Sequence, residues 1–185
     1  MKKNGKKINE IKIADKKIYK RILMTIKQNY SKSKFFNDYW EEFEDIFIKN
    51  FKTESLSELN ISLIKWACKK LKIKCNFYQS STFETNLSRI DRLISINKIL
   101  KSDIYLSPIG SIAYLSDSVH KFNQYKINLV FNNYDEIQSV NKSEKMNLSI
   151  IDLIFNFGAY SKKIILKGIG KPYTYEQIEN LKYKK

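Results

Sequence analysis

The sequence predicts an α/β fold: a short parallel or mixed sheet flanked by helices in three layers, with a helix-rich N-terminal half. Two patterns carry that reading. Helical and strand-like segments alternate from residue 55 onward, as in βα units. The run Ile104-Tyr-Leu-Ser107 is short and apolar and ends at Pro108 and Gly110, as a buried strand and its turn would. Size agrees, because 185 residues that are 43% hydrophobic can bury the core of one domain. Residues 1–185 are therefore read as a single domain, with residues 1–8 and 168–185 as peripheral tails.

The elements follow in order. Residues 8–13 (INEIKI) alternate Ile with polar residues, which fits a short edge strand. Asp15 can cap a helix to Tyr30, with Ile18, Ile22 and Ile26 on one stripe. Phe36, Tyr39, Trp40, Phe43, Phe47 and Phe51 give the next helix a wide aromatic face, which reads as core before it reads as a base-stacking platform. Ser55 and Glu58 form a capping-box pattern and open a helix to about Lys72. Its inner face holds Leu56, Leu59, Leu63, Trp66, Ala67 and Leu71, with Asn60 on or beside it. Residues 73–81 read as a strand, 87–101 as a helix and 111–119 as a short helix. Residues 126–134 read as a further strand, followed by a polar loop over 135–147. Ser149 opens the very apolar helix Ile150–Phe157, which Gly158 stops, and 159–167 is a second short helical segment. Thr174 with Gln177 can cap a last polar helix.

The formal charge is +15. A polyanion partner would explain it, but so would codon bias, since only Arg21, Arg89 and Arg92 are arginines and Lys, Asn, Ile, Tyr and Phe all abound. The lysines are scattered along the chain, so a dedicated nucleic-acid face is disfavoured. Cys68 and Cys75 are too few for a disulfide framework and do not form a CxxC pair; free, buried thiols are expected. With His120 the single histidine, and with no HExxH, Cys/His cluster or EF-hand loop, no metal site and no cofactor is expected. No stretch approaches a membrane span and the N-terminus lacks a signal-peptide apolar region, which points to the cytosol.

Three places could carry chemistry. The strand–turn–helix over 105–111, with Ser107, Gly110 and Ser111, could present backbone N–H groups to an anion, or be a plain turn. Arg89 and Arg92 share a helix face and could grip carboxylate or phosphate, or pair with Asp91 or Glu84. Ser149 and Asp152 could face a site as hydroxyl and carboxylate, or could be a helix N-cap and its first-turn acid. Asn156, one turn on between Phe155 and Phe157, is unusual in so apolar a setting.

Taken together, YLSPIGSIAYL (105–115), KINLVFNNY (126–134), Gln138 and NLSIIDLIFNFG (147–158) resemble the second half of WbqC-like proteins. Residues 30–36, 56–74 and 88–100 run in the same order as that family's middle, so the likeness spans roughly residues 8–167. The resemblance implies a role in O-antigen or other bacterial surface-polysaccharide biosynthesis, as a transferase acting on a nucleotide-activated amino sugar. Matched residue by residue, it implies that Asp152 and Asn156 are catalytic. It implies that Asn60, Arg92, Ser107, Gly110, Tyr114, Gln138 and Ser149 bind a nucleotide-sugar or other anionic small molecule, with Ser111 a candidate beside them as part of the 107–111 turn; Gly158 belongs to the same motif. The chain departs from the family pattern in three places. It shows no His-Gln-Pro-x-Tyr segment, has Pro108-Ile109 where the family's turn carries Gly-Pro, and lacks the His-Pro and Tyr that often precede Gln138. Two other readings stay open: a non-catalytic or truncated partner subunit, completed by another chain or by a missing N-terminal segment, and a basic nucleic-acid binder.

Overall fold

The computed structural model describes residues 7–83, 87, 89–134 and 149–182, without the side chains of 181 and 182. The fold is α/β: helices dominate, with one small mixed sheet. The chain divides into two compact units, residues 1–75 with 138–166, and residues 76–137 with 167–185.

The first unit is helical. It contains α1 (Ile18–Tyr30), α2 (Phe36–Phe51), α3 (Leu56–Lys70), α7 (Ile150–Phe157) and most of α8 (Ser161–Lys167). The aromatic stripe of α2 is core, as its spacing predicts: Phe36, Trp40, Phe43, Phe47 and Phe51 are all buried. Phe155 of α7 inserts among them, within ring-contact distance of Phe36, Trp40 and Phe43, and of Tyr30 on α1. Rings of this size dominate core energetics, and tilted or edge-on pairs add to the area they bury. Polar ties set the helix register. Asn50 of α2 accepts from the Ser62 hydroxyl of α3 at 2.8 Å, and the Phe35 N–H donates to the Phe155 carbonyl at 2.9 Å.

Two strand expectations fail here. Residues 8–10 form a 3-10 turn, and only Lys12 makes a bridge, to Ser55 in the α2–α3 connection. The alternating Ile pattern meets the short connection of residues 52–55 there and has no sheet edge to extend. Residues 73–79 form no strand, and residues 72–82 are all exposed. Strand propensity reports fit to a half-buried pleated surface, and this segment has none. Asn60 is exposed rather than on the inner face of α3, whose buried residues are Leu59, Trp66 and Ala67.

The second unit holds α4 (Arg89–Ile99), β1 (Ile104–Ser107), α5 (Ile112–Leu115), α6 (Val119–Gln124), β2 (Asn128–Phe131), β3 (Tyr173–Thr174) and α9 (Tyr175–Lys182). The sheet order is β1-β2-β3, with β1 parallel to β2 and β3 antiparallel to it. Tyr105 pairs with Leu129 and Ser107 with Phe131. Leu129 and Phe131 join Ile94, Leu115, Phe122, Ile127 and Ile178 in a core of their own. Tyr105 stacks on Phe122 at 5.6 Å. The stretch 111–119, expected as one helix, is a single α turn between two 3-10 turns. Thr174 and Gln177 cap α9 reciprocally, the Thr174 N–H donating to Gln177 Oε1 at 2.9 Å and the Gln177 N–H to Thr174 Oγ1 at 3.3 Å.

Three helices stop in the same way. Lys72, Lys101 and Lys126 sit just past α3, α4 and α6 with φ of 52°, 52° and 58°. In each, the next residue's N–H reaches back to a carbonyl five residues earlier: Ile73 to Cys68, Ser102 to Asn97, Ile127 to Phe122. These are Schellman caps with Lys where Gly is usual.

Candidate functional site

The apolar helix α7 carries one carboxylate, Asp152, and one carboxamide, Asn156, a turn apart on a shared face. Asp152 is half-buried. The Asn156 Nδ2 group donates to Asp152 Oδ1 at 3.1 Å and to the Asp152 carbonyl at 2.9 Å. From α1 the Tyr30 hydroxyl lies close enough to the same carboxylate to interact with it. Burial pushes the Asp152 carboxyl above its ordinary value, and the bonds from Tyr30 and Asn156 pull the other way. Burial, then the neighbouring Asp152 charge, raises the Tyr30 phenol. The proton therefore stays on the phenol, which acts as donor, while the carboxylate is the acceptor. Tyr30 was not among the candidates from sequence. Only its place at the end of an Ile-striped helix was visible, and its pairing with Asp152 crosses more than a hundred residues of chain.

Ser149 occupies the N-cap position of α7 with extended backbone, but its side chain makes no cap hydrogen bond; the Ser149 carbonyl accepts from the Asp152 N–H at 2.9 Å. Gly158 ends α7 at φ 53°, and a Cβ there would lie 2.8 Å from Phe35 Cδ1. Only glycine fits both the backbone and the space. Asn60 is in the same unit, exposed on α3.

Arg92, Ser107, Gly110, Ser111 and Tyr114 lie in the second unit. Ser107 ends β1 at 2% exposure, with its Oγ 2.7 Å from Ser111 Oγ. Ser111 donates its one hydroxyl hydrogen to the Pro108 carbonyl at 2.7 Å, so Ser107 is the donor in the serine pair. Together the two hydroxyls close the turn. Gly110 is exposed with open space around it, and Tyr114 is 62% exposed. One Arg92 nitrogen, Nη2, donates to the Ser80 carbonyl at 2.7 Å, leaving the other guanidinium edges without a described acceptor. Asp91, a proposed arginine partner, pairs with Lys121 of α6. Gln138 lies outside the described residues, as do Glu84 and the loop over 135–147. Sequence expectation places Cys75 in a strand and buried; it is exposed, in irregular backbone, and Cys68 is half-buried.

Among the described residues no group of three or more His, Cys, Asp or Glu side chains is placed to hold a metal ion, and no helix is long and apolar enough to cross a membrane. No curated protein and no solved structure matches the chain. The sequence model of the WbqC-like protein family matches residues 1–164, a span that takes in the paired α1 and α7 side chains and the whole of β1 and β2. With most of its length so matched, the chain belongs to the WbqC-like protein family.

Proposed function

We propose that this chain acts in the assembly of bacterial surface polysaccharide, in a transferase-type step on a nucleotide-activated amino sugar. The observation that carries the reading is the state of Asp152. Its carboxylate is half-buried, raised in pKa, bonded by Asn156 and approached by the Tyr30 phenol, with no backbone amide bonded to it among the described residues. A helix-capping acid would be tied to backbone amides and held low. A raised carboxylate is better matched to taking a proton from an amine or hydroxyl nucleophile as it attacks. In this reading Asp152 is the base, and Asn156 and Tyr30 fix the oxygen that receives the proton. Membership of the WbqC-like family agrees with this assignment. The cytosol, where thiols such as Cys68 and Cys75 stay reduced, is the setting the reading carries.

Calorimetric titration of the full chain with a panel of UDP- and dTDP-sugars tests it. Heat with at least one compound is expected, and it is retained in Asp152→Asn, which binds without turnover. No heat with any member at high protein concentration rules the reading out.

A further inference from the structure

A cavity of about 160 Å³ opens in the first unit, lined by residues that the Asp152 pair does not use. Local backbone builds it. Residues 11–13 are strapped to the connection after α2: the Ile13 N–H donates to the Glu54 carbonyl at 2.8 Å and the Leu56 N–H to the Ile11 carbonyl at 3.2 Å, on either side of the Lys12–Ser55 bridge. Glu54 takes φ 60°, a left-handed turn uncommon for a residue with a side chain, and its carbonyl is the one that holds Ile13. Tyr19, on the first turn of α1, meets Phe51, the last residue of α2, with ring centroids 5.5 Å apart. Ile13 and these two rings are the apolar walls of the cavity, and Lys16, Lys52 and Glu54 are its charged ones. Tyr19 and Tyr30 stand at opposite ends of α1, roughly 16 Å apart along its axis, so this place is separate from the Asp152 pair.

Charge and size select the occupant. Lys16 pairs with Glu54, and the two charges cancel. The Lys52 ammonium has no acceptor among the described residues, so the lining keeps one unbalanced positive charge. An apolar cavity of about 150 Å³ holds a benzene molecule, so this one has room for a body of about six carbons. Apolar walls with a few polar groups that fix orientation are the usual make-up of a small-molecule site. We infer that the cavity is a binding site for a small amphiphilic anion, a carboxylate or phosphate carried on an aromatic ring or a short alkyl body. The body lies against Ile13, Tyr19 and Phe51, and the anionic head pairs with Lys52. The Glu54 carboxylate works against a polyanion, whose repeated charges would meet it.

The test uses the full chain, isotope-labelled and followed by amide chemical shifts in titrations with benzoate and with phenyl phosphate. Two controls divide the ligand: benzyl alcohol has the body without the charge, and acetate the charge without the body. Saturable shifts centred on residues 13–19 and 51–54 are expected with at least one of the two aromatic anions, and the tighter of them names the head group. Benzyl alcohol should bind about twofold or more weakly than that anion, and acetate should not saturate. Lys52→Gln, at an exposed position, should weaken the anion by about two- to fivefold and leave benzyl alcohol unchanged. No saturation by either anion in the tens of millimolar would overturn the assignment. So would benzyl alcohol or acetate binding as tightly as the anion, unchanged affinity in Lys52→Gln, or shifts centred on α7.

Discussion

The phenol of Tyr30, on the last turn of α1, lies beside the carboxylate of Asp152, on the first turn of α7. The ring packs on Phe155 at 5.5 Å, so the aromatic core itself aims the hydroxyl. Tyr30→Phe keeps the ring and deletes the donor. The expected cost is about 0.5–1.5 kcal/mol in denaturant unfolding, that of one modest hydrogen bond. The pH dependence has a definite sign. The folded phenol is raised, so its stabilisation is complete below the unfolded value of about 10 and disappears as pH climbs through the folded value. The gap between wild type and Tyr30→Phe should close at alkaline pH. A gap that instead widens there would show that the phenol is not held by the carboxylate.

Asp152→Asn separates chemistry from folding. Burial raises the wild-type carboxyl, so the folded state favours its protonated form. The contribution is therefore present below the unfolded value near 4 and is lost as pH rises through the folded value. The wild type should lose stability relative to Asp152→Asn across that window and be no more stable than the variant at neutral pH. Turnover, in contrast, should fall by about 100-fold or more, the usual contribution of a general base. Unfolding curves at several pH values, with an activity assay on the same samples, check both halves. A variant clearly less stable than wild type at pH 7 would mark Asp152 as a structural cap.

Gly158→Ala tests the stop of α7. The backbone at φ 53°, ψ −133° costs a side-chain-bearing residue about 1–3 kcal/mol. The added methyl would also meet three atoms of the Phe35 ring at 2.8–3.1 Å. A loss of about 2 kcal/mol or more is expected in chemical denaturation, with Phe35→Leu restoring part of it in the double variant by removing the ring. Additive effects of the two substitutions would show that the clash is relieved elsewhere.

The parts of this fold that show in the sequence are those whose signal is local. The aromatic stripe of α2, the Ser55 cap of α3 and β1 up to its Pro108 stop each carry their own periodicity or punctuation and stand where they are read, but the Ser55 N–H bonds Thr53 Oγ1 where a capping box would use Glu58, and β1, expected buried, exposes Ile104 and Leu106. Residues 73–81 carry β-branched and aromatic residues too, but a strand needs a partner edge, and that is a property of the rest of the molecule. Asp152 and Asn156 were legible as a polar pair on an apolar helix. Tyr30 was not, because nothing in its own neighbourhood marks it as a donor to a side chain so far along the chain. The helix stops after Leu71, Leu100 and Tyr125 were blurred for another reason: lysine stands where glycine would have signalled the turn.

That substitution of lysine for glycine leads to a stabilising change. Lys126 follows α6 with φ 58°, a conformation in which an L side chain crowds the following carbonyl at a cost of about 1 kcal/mol. Its side chain is exposed, and the cap is made by backbone alone, through Lys126 N–H to Asn123 and Ile127 N–H to Phe122. Lys126→Gly should therefore raise stability by up to about 1 kcal/mol, less the extra entropy glycine gives the unfolded chain. Lys101→Gly, after α4, should do the same, because it shares the geometry and is also exposed. Lys126→Ala is the control: it removes the charge but keeps the Cβ, and should leave stability within about 0.5 kcal/mol of wild type. A gain in the alanine variant equal to that in the glycine variant would assign the effect to relief of charge repulsion in this strongly basic chain, and not to the left-handed backbone.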